Sequence, residues 1–169
     1  LLEPNGQFGT RMQGGKDSAS ERYIFTQLNN ISRFIYSSTD DDILQYNNDD
    51  GDIVEPVYYM PIIPMVLVNG IKGIGTGFST DILPYNPNTI IEYLLDKLDN
   101  NDLSTYNFIP YWNGFKGDIY EDTNNHKYMV KGVYKKIAKD SIHVTELPVG
   151  FWTDDFKLLL EHLMDNVDK

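Results

Sequence analysis

In the stretch SASERYIFT, Arg22 directly precedes Tyr23. This pairing has the residue types for phosphoryl chemistry. A phenol has a pKa near 10, so about one molecule in a thousand is phenolate at neutral pH. Making it a nucleophile costs about 4 kcal/mol unless the site helps. A neighbouring guanidinium helps in two ways: it favours the phenolate, and it stabilises charge on a phosphoryl group in flight. Adjacent residues on a helix point to different sides. The pair would therefore divide the labour, with Tyr23 attacking and Arg22 holding the phosphate or its neighbour. Divalent ions bridging the leaving oxygen would complete such a site. The Asp runs of this sequence lack ligand-like spacing, so no residue is assigned to a metal. From residue types alone, an Arg-Tyr pair is more often core or surface decoration.

A second motif is NGIKGIGTGF, residues 69–78. Gly70, Gly73, Gly75 and Gly77 predict a flexible, compact loop that lets backbone approach a ligand closely. It lacks the G-x-x-x-x-G-K-[ST] pattern of a P-loop and does not complete GxGxxG. A structural turn is the plainer reading.

The elements that would position these motifs follow from spacing. Residues 5–17 are Gly-rich and polar, so they read as loop. Ser18 and Glu21 have the spacing of a capping box. Ile24, Leu28, Ile31 and Ile35 follow at helical intervals and predict a helix over about 19–36. Its first turn would bear Arg22 and Tyr23, beside the unpaired N–H groups that suit a phosphate. Val54–Tyr59 and Met65–Val68 read as strands, and Asn69-Gly70 as a turn. Asn86-Pro87 reads as a cap and first helical residue. Ile90, Ile91, Leu94, Leu95 and Leu98 predict the buried face of a helix to about 99. The polar stretch 100–107 is the candidate domain boundary. Strands are expected near 116–121, 128–137 and 141–146. Thr153 is placed as the cap of a last helix with Phe156, Leu159, Leu160 and Leu163 inward. No internal repeat is present. The second half reads as α+β, with nothing catalytic in it.

The 169 residues fit one domain, or one plus part of another. The chain opens Leu-Leu-Glu-Pro and reads as a piece of a longer protein. No apolar run approaches the roughly 20 residues that span a bilayer. With no cysteine, disulfides and thiolate metal sites are excluded, which fits a reducing compartment. The net charge of −11 argues at first against nucleic acid. Its placement is uneven, however. Residues 38–56 hold seven acids and no base, and read as a solvated loop. Residues 1–37 and 57–78 are neutral to basic and remain free to meet an anion. The three histidines, His126, His143 and His162, read as ordinary surface or strand positions.

GQFGTRMQGGKDSASERYIFT resembles the segment around the active-site tyrosine of the type IIA DNA topoisomerases, in their eukaryotic and large-virus version. EPVYYMPIIPMVLVNGIKGIGTGFS resembles the next block of that family, in the same order and at similar separation. FKGDIYED and TELPVGFWT resemble two further stretches. The weakest match is at 38–53 and 99–107. The resemblance implies an α+β fold. Residues 1–107 would be the C-terminal part of a winged-helix, tyrosine-bearing domain, and 108–169 the beginning of an α+β tower domain. It implies an ATP-dependent type II DNA topoisomerase, an isomerase that cuts both DNA strands transiently, passes a second duplex and religates. Tyr23 would be the nucleophile, joined to a 5′ phosphate while a 3′ hydroxyl is released. Arg22 would support that phosphate. Arg11 and Lys16 would lie on the DNA path, with Gln7, Thr10 and Ser18 as polar backbone contacts. Ile74 would wedge between base pairs of a bent duplex, at a cost of about a few kcal/mol per unstacked step. Lys72, beside the wedge, is a further inferred phosphate contact.

The family's metal-binding acids, its ATPase module and a histidine-containing stretch lie in regions this chain does not hold. Mg2+ and ATP would therefore bind outside it. Glu21 stands where the family more often has proline, which leaves the helix start open and brings a negative charge near the phosphate. The chain by itself is expected to bind DNA weakly and to cleave poorly or not at all. The expected partners are double-stranded DNA and a second copy in a homodimer, with no membrane. The expected setting is the nucleus, or cytoplasmic viral replication sites if the protein is viral. Two rival readings are a non-enzymatic DNA-binding and bending module, indifferent to Tyr23→Phe, and a nucleotide-binding enzyme using the GIGTG loop.

Overall fold

The computed structural model describes residues 1–122 and 127–167, and shows a mixed α and β chain. His126 lies outside the described residues. The strands form five two-stranded ribbons, and no larger sheet joins them among the described residues. The chain divides into two compact units: Leu1–Glu3 with Thr26–Phe108, and Pro4–Phe25 with Ile109–Lys169.

The first departure from expectation is local. Strand β1 (Leu2–Pro4) pairs with β2 (Thr26–Leu28). The helix expected over 19–36 is therefore absent. A 3-10 turn at Glu21–Tyr23, then β2, then the short helix α1 (Ser32–Ile35) occupy that span. The capping box does not form either: Ser20 is the N-cap, and it makes no side-chain cap bond. The competing interaction is the β1–β2 ribbon. The Glu3 carboxylate accepts from Gln27 Nε2 at 2.9 Å and Asn29 Nδ2 at 2.8 Å. The Ser32 hydroxyl donates to the Leu1 carbonyl at 2.7 Å, and Ser32 is buried. Pairing over this distance satisfies backbone groups that a lone amphipathic helix would satisfy internally.

The acidic segment is also more ordered than a solvated loop. A 3-10 segment, Ser38–Ile43, precedes the hairpin β3 (Tyr46–Asp49) and β4 (Asp52–Pro56). Asp50 and Gly51, at φ 49° and 101°, make the two-residue turn whose positive φ values suit a twisted hairpin. Almost every side chain in it is exposed, as expected of that charge.

Met65–Val68, expected as a strand, lies in helix α2 (Met65–Asn69). Short apolar runs are ambiguous between strand and helix. Pro64 decides it, with a preset φ of −70° and a carbonyl accepting from Leu67 N at 2.9 Å. Gly70 ends α2 at φ 67°, and a Cβ there would stand 2.6 Å from the Ile82 carbonyl oxygen.

Helix α3 (Pro87–Leu98) follows its sequence signals. Asn86 caps it, accepting from Asn88 N at 3.0 Å, and Pro87 opens the first turn. Ile90, at 2% exposure, is buried. Tyr85, Tyr93, Tyr106 and Phe108 pack edge to face in pairs, with centroids 5.3 to 5.9 Å apart. Ile91, Leu95 and Leu98 are exposed, contrary to the expected face.

In the second unit, β7 (Asp118–Asp122) pairs with β8 (Lys127–Lys131), and β9 (Val133–Ala138) with β10 (Ser141–Glu146). These are the expected strands, with 128–137 divided at Gly132. Helix α4 (Thr153–Val167) starts at Thr153. Phe156 is half-buried against Phe151, whereas Leu159, Leu160 and Leu163 are exposed rather than inward.

Candidate active site and nucleic-acid interface

Tyr23 ends the 3-10 turn and is 48% exposed. Its place is set by backbone bonds. Tyr23 N donates to the Ser20 carbonyl at 2.9 Å, and Gln7 N donates to the Tyr23 carbonyl at 3.0 Å. The Gln7 carbonyl accepts from Ala19 N at 3.0 Å, so Gln7 grips both ends of Ala19–Tyr23. Asn5 N donates to the Phe25 carbonyl at 2.9 Å. These bonds fix the backbone at Tyr23 and leave its side chain about half exposed.

Arg22 does not point away. Its guanidinium carbon lies 5.2 Å from the centre of the Tyr23 ring, within cation–π range. With a 3-10 turn in place of an α-helix, the two side chains do not diverge. The fork and the phenol are held together before any ligand arrives.

The loop ahead of Tyr23 is closed by a contact that residue spacing did not reveal. Thr10 N donates to Asp17 Oδ1 at 2.9 Å, and the Thr10 hydroxyl to Oδ2 at 2.8 Å. The Thr10 backbone N–H, then its hydroxyl, hold the Asp17 carboxyl below the usual carboxylate range. Gly9 has φ 84°, and a Cβ there would stand 2.8 Å from Asp17 Oδ1. Asp17 escapes a reading of the sequence because an acid between Arg11 and Lys16 looks like charge balance. The Thr-x6-Asp spacing is the signal that could have found it.

Arg11 is exposed and borders an open cavity of about 820 Å³ with Trp112, Phe115, Trp152 and Phe156. Lys16 Nζ lies 3.7 Å from the Asp155 carboxylate, a weak exposed pair. Gly14 sits against the Trp152 indole with no room for a Cβ. The side chains of Gln7, Thr10 and Ser18 are exposed, but the Thr10 proton is engaged by Asp17.

Lys72 and Ile74 lie in the other unit, on a hairpin of β5 (Ile71–Gly75) and β6 (Phe78–Ile82). The expected flexible loop is thus a regular ribbon, turning at Thr76-Gly77 with Gly77 at φ 79°. Ile74 opposes Ser79 and is 91% exposed beside the tip. Phe78, opposite Gly75 and on the other face, is 85% exposed. Lys72 Nζ lies 3.5 Å from Asp81 across the ribbon. Two large apolar side chains flanked by glycines are presented to whatever the hairpin meets.

Among the described residues, no group of three or more His, Asp and Glu side chains is placed to hold a metal ion. The described residues alone do not fit a magnesium site. No described helix is long and apolar enough to cross a membrane.

An outward phenol under a guanidinium, on a loop fixed by backbone bonds, defines a candidate phosphoryl-transfer centre. The family is identifiable from the whole chain. The sequence model of the DNA gyrase/topoisomerase IV family, in its A-type subunit, matches residues 1–169, and the chain belongs to that family. It is 48% identical over 165 residues to DNA topoisomerase 2, mitochondrial, of Dictyostelium discoideum, covering 98% of this chain and 12% of that protein. It is also 48% identical over 164 residues to DNA topoisomerase 2 of Acanthamoeba polyphaga mimivirus, covering 97% of this chain and 13% of that protein. The crystal structure of the Plasmodium falciparum topoisomerase II DNA-binding, cleavage and re-ligation domain superposes with a TM-score of 0.87 at 44% identity. It matches 96% of this chain and 22% of that one. The chain thus spans about one eighth of these curated relatives.

Proposed function

We propose that this chain is part of the DNA cleavage core of an ATP-dependent type II DNA topoisomerase, with Tyr23 as its nucleophile. The carrying observation is the exposed Tyr23 phenol with the Arg22 guanidinium 5.2 Å from its ring centre. The Tyr23 oxygen attacks a backbone phosphorus of double-stranded DNA. A bond forms from the phenol oxygen to the 5′ phosphate as the bond to the 3′ oxygen breaks. In the overall balance the phenol's proton ends on the 3′ hydroxyl. The phosphotyrosine retains the energy of the broken linkage, so religation is the same step reversed.

Arg22 moves from the ring face to the phosphoryl oxygens and offsets the charge that develops there. Arg11 and Lys16 hold flanking phosphates, and exchange of Asp155 for DNA frees Lys16. Gln7, Thr10 and Ser18 supply polar contacts to the backbone. Thr10 does so by turning its hydroxyl proton from Asp17 to a phosphate oxygen, which can only accept. Ile74 enters the base stack from the hairpin tip, and Lys72 reaches a neighbouring phosphate.

Residues 1–107 are assigned to the end of a winged-helix region and 108–169 to the start of a tower domain. Mg2+ and ATP would bind other parts of the polypeptide. The working form is a homodimer, with one strand cut by each protomer. The setting is the nucleus, or viral replication sites in the cytoplasm.

The test uses the complete polypeptide. Denaturing it during reaction with duplex DNA should trap a covalent adduct, and Tyr23→Phe should abolish the adduct while retaining DNA binding. An undiminished adduct with Tyr23→Phe removes this residue from the chemistry.

A further inference from the structure

Helix α4 begins on a residue that caps poorly. The Trp152 carbonyl accepts from Phe156 N at 2.9 Å, the opening bond of the helix. Trp152 is therefore the N-cap, one residue ahead of the expected Thr153. Ser, Thr, Asp and Asn are preferred at this position, because a side-chain oxygen there accepts from the free N–H groups of the first turn. An indole has no oxygen and can only donate. Its contacts lie elsewhere.

The indole and the first turn of α4 both meet the loop of residues 10–17 that precedes Tyr23, and all of these belong to one unit. Asp154 N donates to the Met12 carbonyl at 3.1 Å, so the loop satisfies an N–H that the cap leaves open. The Trp152 indole covers Gly14 so closely that a Cβ there would collide with Nε1, Cδ1 and Cε2. Trp152 is half-buried and lines the same cavity as Arg11. The loop itself is stiff. Gly15 N donates to the Thr10 carbonyl at 2.9 Å, and Thr10 is bound to Asp17 through backbone and side chain. Beyond it, Ala19 N donates to the Gln7 carbonyl at 3.0 Å, and Gln7 N donates to the Tyr23 carbonyl. A displacement at Gly14 is thus passed along hydrogen-bonded main chain toward Tyr23.

We propose that Trp152 is a positioning residue for DNA cleavage. Seated on Gly14, with the first turn of α4 bound to Met12, it sets where Arg11 and Tyr23 stand on one duplex. This rests on the DNA-cleaving role proposed above for Tyr23. Trp152 touches no reacting atom and acts through the loop. An indole suits this task, being large and rigid, and the glycine opposite admits it because no side chain intervenes.

The experiment uses the complete polypeptide with saturating duplex DNA. It scores the single-turnover rate of covalent adduct formation, the Kd for DNA and the Tm. Trp152→Ala should slow the adduct by about tenfold or more, the scale of a misplacement of about 1 Å, while Kd changes far less. Trp152→Phe, which keeps a flat ring over Gly14, should retain most of the rate. Gly14→Ala should slow the adduct to a similar extent with Trp152 in place. Gly15→Ala is its control. Gly15 has φ 80° and Gly14 φ 63°, so a side chain strains the backbone at both. At Gly15, however, a Cβ would meet the Phe8 carbonyl oxygen at 3.6 Å, an ordinary contact. The rate of Gly15→Ala should fall far less.

A parent rate in Trp152→Ala overturns the proposal, including the case of a lowered Tm, which would assign the indole to folding alone. Equal losses in the two glycine variants also overturn it, and this pair decides even if Trp152→Ala does not fold. Tyr23→Phe is scored in parallel. An undiminished adduct there sinks the reading on which this one rests. An adduct that depends on Tyr23, yet forms at the parent rate in the Trp152 and Gly14 variants, sinks this inference alone.

Discussion

Gly6 lies directly beneath the backbone of Tyr23. A Cβ at Gly6 would stand 2.5 Å from the Tyr23 carbonyl oxygen and 2.7 Å from Ile24 Cα. Both atoms belong to main chain held by the Gln7 and Asn5 hydrogen bonds, so neither can move alone. Gly6→Ala should therefore displace the proposed nucleophile without touching its chemistry. Overpacking of this kind costs about 1–3 kcal/mol of stability. Misplacement of about 1 Å can lower a rate by up to about 10²-fold. Single-turnover adduct formation should fall by about tenfold or more, with DNA affinity nearly kept. Equal rates for both proteins would show that the ribbon does not aim Tyr23.

Asp17 separates charge from geometry. If its role is only to oppose Arg11 and Lys16, removing its charge should tighten DNA binding. If it holds the loop through Thr10, Asp17→Ala should weaken binding although the protein becomes less acidic. Asp17→Asn, which still accepts from Thr10 N, should bind as well as the parent or better. Fluorescence anisotropy with a labelled duplex reads the sign directly. Weakened binding by Ala alone is the expected result.

Ile74 contributes almost nothing to folding from its exposed place on β5. Ile74→Ala should change stability by less than about 0.5 kcal/mol. DNA bending, read by energy transfer between labels at the duplex ends, should drop markedly, because the wedge that offsets unstacking is gone. A retained bend would shift attention to Phe78 on the opposite face of the hairpin.

The end of α3 carries a pH-dependent contact. The Tyr106 hydroxyl donates to Asp96 Oδ2 at 2.5 Å, and Asn101 Nδ2 donates to Oδ1 at 2.8 Å. The Asp96 carboxylate, with burial second, pushes Tyr106 up to about 12. The Tyr106 hydroxyl, then Asn101, lower Asp96. The raised phenol contributes stability below its ordinary value near 10, lost as pH rises through about 12. The lowered carboxyl contributes above its ordinary 3.8, lost as pH falls through its depressed value. Tyr106→Phe should thus lower Tm by a few degrees across neutral pH, with the difference shrinking in acid. A difference that persists unchanged below pH 3.8 would assign the effect to packing with Tyr93 and Phe108 instead.

Residues close in the chain determined much of this protein. Asn86-Pro87 started α3 because cap, proline and first turn are neighbours. The strands of 118–146 were visible in their own composition, and Arg22 and Tyr23 stood out through ordered motifs that need no coordinates. What tertiary structure decided was the surroundings of those two residues. Ile24, Leu28, Ile31 and Ile35 have helical spacing, yet residues 2–4 pair with 26–28 and claim the backbone first. That pairing spans more than twenty residues, so no local period announces it, and it brings Gly6 and Gln7 under Tyr23. With the helix gone, the Arg22 side chain folds over the Tyr23 ring instead of turning away. Spacing reports the preference of an isolated segment; the distant partner that satisfies its hydrogen bonds sets the geometry in which the chemistry must occur.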